Sequence, residues 1–135
     1  MANVKEVKAV AKEVSQSPRK VGLVASLVRG RTVADAIVIL EHTPKRAALA
    51  VKKTIESAAA NAANNHGLDK KTLKIESIQV GHGTRLKRFK PVARGQAHPF
   101  QKRTSNIRVV VTGNEKVKKK PAAKAAAKST SKESK

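Results

Sequence analysis

The stretch that most constrains the fold is residues 81–108, GHGTRLKRFKPVARGQAHPFQKRTSNIR. It carries Arg85, Lys87, Arg88, Lys90, Arg94, Lys102, Arg103 and Arg108, and its nearest acids are Glu76 and Glu115. An apolar run precedes it (LKIESIQV, 73–80) and a β-branched run closes it (IRVVVT, 107–112). Two strand-like arms around a long basic segment predict a β-hairpin with an extended, positively charged end. Such a segment has almost nothing apolar to bury, so it makes sense only with a polyanion as partner.

The rest of the composition agrees. The chain has 135 residues, enough for one small domain, and 30 Lys and Arg against 9 acids give a net charge of +21. That much self-repulsion calls for a counter-charged partner, with nucleic acid ahead of an anionic membrane surface. No apolar run approaches the ~20 residues of a membrane span, so no membrane partner is expected. Residues 1–14 mix charges throughout and lack the apolar core of a signal peptide. Cysteine is absent, which removes disulfides and thiolate metal sites and fits a cytoplasmic protein. Phe89 and Phe100 are the only aromatics, so base stacking is nearly unavailable and binding should work through phosphate charge and shape.

Taken in order, residues 1–14 place Val4, Val7, Val10 and Val14 at helical spacing, although a Val-rich stretch also suits a strand; pattern alone favours helix. Ser17 followed by Pro18 starts a helix over 18–29, with Val21, Val24 and Val28 beside Leu23 and Leu27 on a broad apolar face ending at Gly30. Thr32 and Asp35 open a second helix that ends near His42. Thr43 and Pro44 repeat the cap-plus-proline start, for a third helix over 44–64 with Ala48, Val51, Ile55, Ala58, Ala59 and Ala62 on one stripe. The 73–80 strand shifts phase at Ser77, which predicts a bulge, and the return arm, 101–112, buries Ile107, Val109 and Val111 on one face. About a dozen residues per side would carry the hairpin roughly 40 Å from the domain. From residue 116 the sequence KVKKKPAAKAAAKSTSKESK reads as a low-complexity basic tail, disordered alone.

The expected fold is α+β: three helices packed on a small three-stranded antiparallel sheet, with a long extended β-hairpin and a disordered basic C-terminal tail. The expected division is a globular α/β domain over 1–80 and 105–114, the hairpin over 81–104 and the tail over 115–135. His42, His66, His82 and His98 are scattered without ligand spacing, so neither a metal site nor catalysis is expected, and no cofactor. Gly81 and Gly83 read as backbone freedom where the hairpin leaves the domain.

The segment ARGQAHPFQKRTSNIRVVV (93–111) resembles the C-terminal signature of the ribosomal protein L twenty-two family of the large subunit. SPRK (17–20), TPKRAA (43–48), AAANAANNHGLD (58–69) and LKRFKP (86–91) support the resemblance, which spans about residues 4–112. It implies that 4–14 is a strand, against the periodicity. It also implies a non-enzymatic, structural constituent of the large ribosomal subunit in the cytoplasm, one that binds large-subunit rRNA, bridges several rRNA domains during assembly and lines the polypeptide exit tunnel. Its partners would be that rRNA, neighbouring large-subunit ribosomal proteins and the nascent polypeptide passing the hairpin tip. Leu86, Lys87, Arg88, Phe89, Lys90 and Pro91 correspond to the tunnel-side tip. Arg94, Lys102 and Arg103 correspond to rRNA-contacting arms, and Arg19 and Lys20 to a domain contact; Arg85, Arg108 and the tip cations Lys87, Arg88 and Lys90 complete the expected rRNA-binding set. Asn106 stands where the family often has His, and Pro99-Phe100 where a basic or aliphatic pair is common. The alternative is a histone-like DNA-condensing protein, suggested by the KKKPAAKAAAK stretch, although condensing proteins keep their basic residues mostly in tails.

Overall fold

A computed structural model describes residues 5–114; the tail expected from 115 lies outside the described residues. The elements run β1 (Lys5–Val14), α1 (Pro18–Val28), α2 (Val33–His42), α3 (Arg46–His66), β2 (Lys74–Pro91) and β3 (Ala97–Gly113). The strands form one antiparallel sheet in the order β1-β3-β2. On one face of it α3 packs across β1 and β3 and α1 against β2, while α2 packs against α3. This is the expected α+β architecture.

The helical periodicity of 4–14 does not hold: β1 is a strand. Val7 and Ala9 are buried and their neighbours exposed, a period of two rather than 3.6. The deciding partner is remote, because Val7 pairs with Val111 and Ala9 with Val109 on β3. Two further expectations are corrected. Leu23 and Leu27 do not join the buried face of α1, which is Val21, Val24, Ala25 and Val28; they are 70% and 49% exposed. The third helix starts at Arg46 rather than Pro44, because Thr43 closes α2 instead of opening α3. Its hydroxyl donates back to the Ile39 carbonyl oxygen at 2.7 Å, and its own carbonyl accepts from the Lys45 N–H at 2.7 Å.

Other local signals are realised directly. The Asp35 N–H donates to Thr32 Oγ1 at 3.2 Å, capping α2. Gly67 takes the left-handed conformation (φ 62°) that ends α3, and its N–H donates to the Ala62 carbonyl oxygen. The β2–β3 register shifts between Ile75 and Ser77, the bulge expected at Ser77.

The core is aliphatic throughout. Ile55, Leu68, Leu73, Ile75, Ile78, Ile107, Val109 and Val111 are essentially inaccessible, and each such side chain contributes about 1.5–3 kcal/mol relative to exposure. The stripe on α3 (Ala48, Val51, Ile55, Ala58, Ala62) is small enough to bring the helix close to the sheet. The domain end of β2 is not left open. The Gly30 N–H donates to the Ile75 carbonyl oxygen at 3.1 Å, the Ile75 N–H to that of Arg31 at 2.9 Å, and the Val33 N–H to that of Leu73 at 3.0 Å. Arg29 Nη2 adds a bond to the Ile78 carbonyl oxygen at 3.0 Å. The α1–α2 connection thus covers a sheet edge that would otherwise offer unpaired backbone groups.

Candidate nucleic-acid interface

Beyond Val80 the two long strands leave the helices behind. They remain paired from Gly81 opposite Asn106 out to Pro91 opposite Ala97, and the chain reverses through a short turn, Ala93–Gly95. Every residue from 81 to 103 is exposed except Gly83, which is half-buried. Eleven residues on the outgoing strand give a reach of about 35 Å, near the expected value. The strands extend further into the arm than expected, since β3 begins at Ala97 rather than residue 101.

Two irregularities coincide where the arm leaves the domain. The β2–β3 register shifts between His82 and Arg85, and the β1–β3 register between Ala11 and Val14. Glu13 adopts φ 57° there, an uncommon conformation for a residue with a Cβ, and its N–H donates to Asn106 Oδ1 at 2.9 Å. Asn106 Nδ2 donates to the His82 carbonyl oxygen at 3.3 Å, and Thr84 Oγ1 to Glu13 Oε1 at 3.1 Å. Thr104 Oγ1 donates to the Thr84 carbonyl oxygen at 2.7 Å. All three strands are therefore tied together at the arm's root. Gly83 is required there by proximity rather than by φ: a Cβ would collide with Thr104 Oγ1 and lie 3.1 Å from the Thr104 carbonyl carbon.

The residues expected to bind rRNA fall in three places. Arg85, Lys87, Arg88, Lys90, Arg94, Lys102 and Arg103 are exposed along the arm. Leu86–Pro91, the expected tip residues, flank the turn on β2 rather than forming it; Arg94 sits in the turn itself with φ 61°. Phe89 is 71% exposed, and Lys90 Nζ lies 5.7 Å from the centroid of the Phe100 ring. Arg19 and Lys20 are exposed in the first turn of α1. Arg108, opposite Gln79 and Val10, is on the sheet face away from the helices, apart from both other groups.

Sequence reasoning missed two cations that the fold brings to the arm's root. Lys45 and Arg46, at the start of α3, share a groove with Lys20 of α1 and Arg103 of β3. A signal for them existed, because neither α1 nor α3 has an acid in its first turn. Cations there oppose the helix dipole and are better placed beside an anion. Acids pair elsewhere: Lys52 Nζ lies 2.7 Å from Glu41 Oε1 and 3.6 Å from Glu56 Oε1, tying α2 to α3. The hydrogen bond from Lys52 holds the Glu41 carboxyl below its ordinary value, and the same bond raises Lys52.

Among the described residues no cluster of His, Asp and Glu is arranged to hold a metal, and no helix is long and apolar enough to cross a membrane. The class defined by these features is a small α+β scaffold that displays an acid-free, cationic two-stranded arm. A family model described as "Ribosomal protein L22p/L17e" matches residues 9–112. The chain is 48% identical over 112 residues to the large ribosomal subunit protein uL22 of Streptococcus pyogenes, covering 83% of this chain and 98% of that one. It is 51% identical over 106 residues to the protein of the same name from two strains of Clostridium perfringens, covering 78% of this chain and 96% of theirs. The chain belongs to this ribosomal protein family. It is a structural constituent of the large ribosomal subunit and not an enzyme, and it resides in the ribosome, in the cytoplasm, among rRNA and other ribosomal proteins. That assignment displaces the DNA-condensing alternative.

Proposed function

We propose that the chain binds large-subunit rRNA through the arm and the domain cations at its root, bridges several rRNA domains during assembly, and lines the polypeptide exit tunnel with the far end of the arm. In this reading residues 1–80 and 105–114 act as the docked domain and 81–104 as the inserted element. One observation carries it: a paired arm that is exposed from 84 to 103 and holds no acid, whose cations project away from the core. A two-stranded ribbon of this kind is marginal on its own in water. Phosphates packed around it supply the counter-charge and the enclosure that the sequence does not.

Arg85, Lys87, Arg88, Lys90, Arg94, Lys102 and Arg103 neutralise phosphates from RNA on both sides of the ribbon, while Arg19, Lys20 and Arg108 hold RNA against the domain. Leu86, Phe89 and Pro91, among the arm's least polar side chains, face the tunnel space traversed by the nascent polypeptide. The test is sedimentation of cell lysate through a high-salt sucrose gradient, comparing the natural chain with Arg88→Glu and Arg103→Glu. Co-migration of the natural chain with large subunits and reduced occupancy of both variants is the expected result. Equal incorporation of all three would contradict the proposal.

A further inference from the structure

At the root of the arm, between α1 and the start of α3, lies a groove of about 670 Å³. Its floor is aliphatic, formed by Leu23, Val24 and Leu27, and two of these are the leucines that the core leaves exposed. Its rim carries Lys20, Lys45, Arg46 and Arg103, and no acid lines it. We propose that this groove takes one unstacked nucleotide of large-subunit RNA, with the base on Leu23 and Leu27 and the flanking phosphates on the four cations. The inference rests on the rRNA-binding reading above and adds to it a place where a base, rather than only the backbone, is held.

The chemistry of the lining selects this occupant. An apolar floor inside a cationic rim complements a group that is flat and apolar on its face and anionic at its ends, and the volume falls in the range that accepts small organic ligands. Bases stacked within an RNA helix do not offer their faces, so the nucleotide must come from a loop, bulge or junction. Both phenylalanines are on the arm, so contact here is aliphatic instead of aromatic stacking. Polar groups for the base edge are at hand: Gln16 and Ser17 line the groove, and the Ser17 side chain makes no capping hydrogen bond although it occupies the N-cap of α1.

Charge and continuity exclude the other occupants. The chain's own Lys/Ala-rich segment after residue 115 has the same sign as the rim, and a second copy would set one cationic rim against another. Arg103 belongs both to the groove and to the arm, where it stands opposite Arg85. An RNA strand following the arm therefore enters the groove without leaving positive surface.

The test uses the full chain assembled into large subunits, with Leu23 replaced by the photoreactive p-benzoylphenylalanine and, in a second version, Arg88 replaced in the same way. The expected result is crosslinking of both positions to rRNA, with position 23 mapping to a single nucleotide. Crosslinking of position 23 to a protein, or to nothing, while position 88 reaches rRNA would overturn the groove assignment and leave the rRNA reading intact. Failure of both positions to reach rRNA would overturn both. In parallel, the double variant Leu23→Ala/Leu27→Ala should bind large-subunit RNA about tenfold more weakly, with an unchanged salt dependence, because apolar contacts release no counterions. Both leucines are exposed, so the variant keeps its fold; unchanged affinity would contradict the proposal.

Discussion

Arg85 and Arg103 stand directly opposite one another across the two strands of the arm. Like charges in that position cost roughly 0.2–1 kcal/mol of cross-strand pairing. The arm thus carries a penalty in isolation that an intervening phosphate would turn into an attraction. Arg85→Glu should strengthen pairing in the free protein, seen as slower amide exchange in 84–104, while weakening its binding to large-subunit RNA. Slower exchange together with weaker RNA binding is the prediction; faster exchange, or unchanged RNA binding, would contradict it.

The glycine pair at the arm's root separates proximity from flexibility. At Gly83 a Cβ would meet Thr104 and lie 3.2 Å from the Ser105 nitrogen, whereas at Gly81 nothing lies within 4 Å. Gly83→Ala should cost about 1–3 kcal/mol, as overpacking does, and disturb the register between His82 and Arg85. Gly81→Ala should be neutral or slightly stabilising. Urea unfolding of the two variants distinguishes them, and equal midpoints would show that the contact with Thr104 is not limiting.

Ser105 is inaccessible on β3, and its hydroxyl finds no protein partner among the described residues. An unpaired buried hydroxyl costs more than it returns. Ser105→Ala should therefore leave the thermal midpoint unchanged or raise it. A loss of more than about 1 kcal/mol, the value of a typical hydrogen bond, would mean that the hydroxyl is engaged after all.

The tie between α2 and α3 gives a pH signature. Glu41 is held below its ordinary value of 4.5 by the Lys52 hydrogen bond. A depressed carboxyl contributes stability that is present above its unfolded value and is lost as the pH falls through its folded one. Lys52, raised above 10.5, contributes below that value and loses its contribution as the pH rises through the folded one. Glu41→Gln should accordingly lower the melting temperature slightly at neutral pH, and the difference should vanish as the pH falls through the folded value of the natural carboxyl. A difference that persists in acid would assign the effect to packing.

Much of the fold was legible because its signals are local. Thr32 with Asp35, the Gly67 stop, the Ser77 bulge and the alternation of Ile107, Val109 and Val111 each depend on near neighbours in sequence. What was not legible depends on remote partners. The valines of β1 satisfy two periods at once, and only pairing with Val109 and Val111 decides between them. Leu23 and Leu27 read as core because α1 has apolar residues around more of its circumference than the sheet can cover. For the site, the arm announced itself by the missing acids. The meeting of Lys20, Lys45 and Arg46 with Arg103 did not, because the sheet must form before Arg103 comes to the helices.

The central claim is that the arm's cations are spent on RNA phosphates, and the salt dependence of binding tests it most directly. Affinity of the full chain for large-subunit RNA should fall steeply as salt rises, by roughly 0.7–0.9 logarithmic units per phosphate contact. Replacing Arg85, Lys87, Arg88 and Arg103 together with Gln should make that slope shallower by about 3 units, the share of four contacts. A quadruple variant that binds with the slope of the natural chain would show that the arm's charge does not meet phosphate.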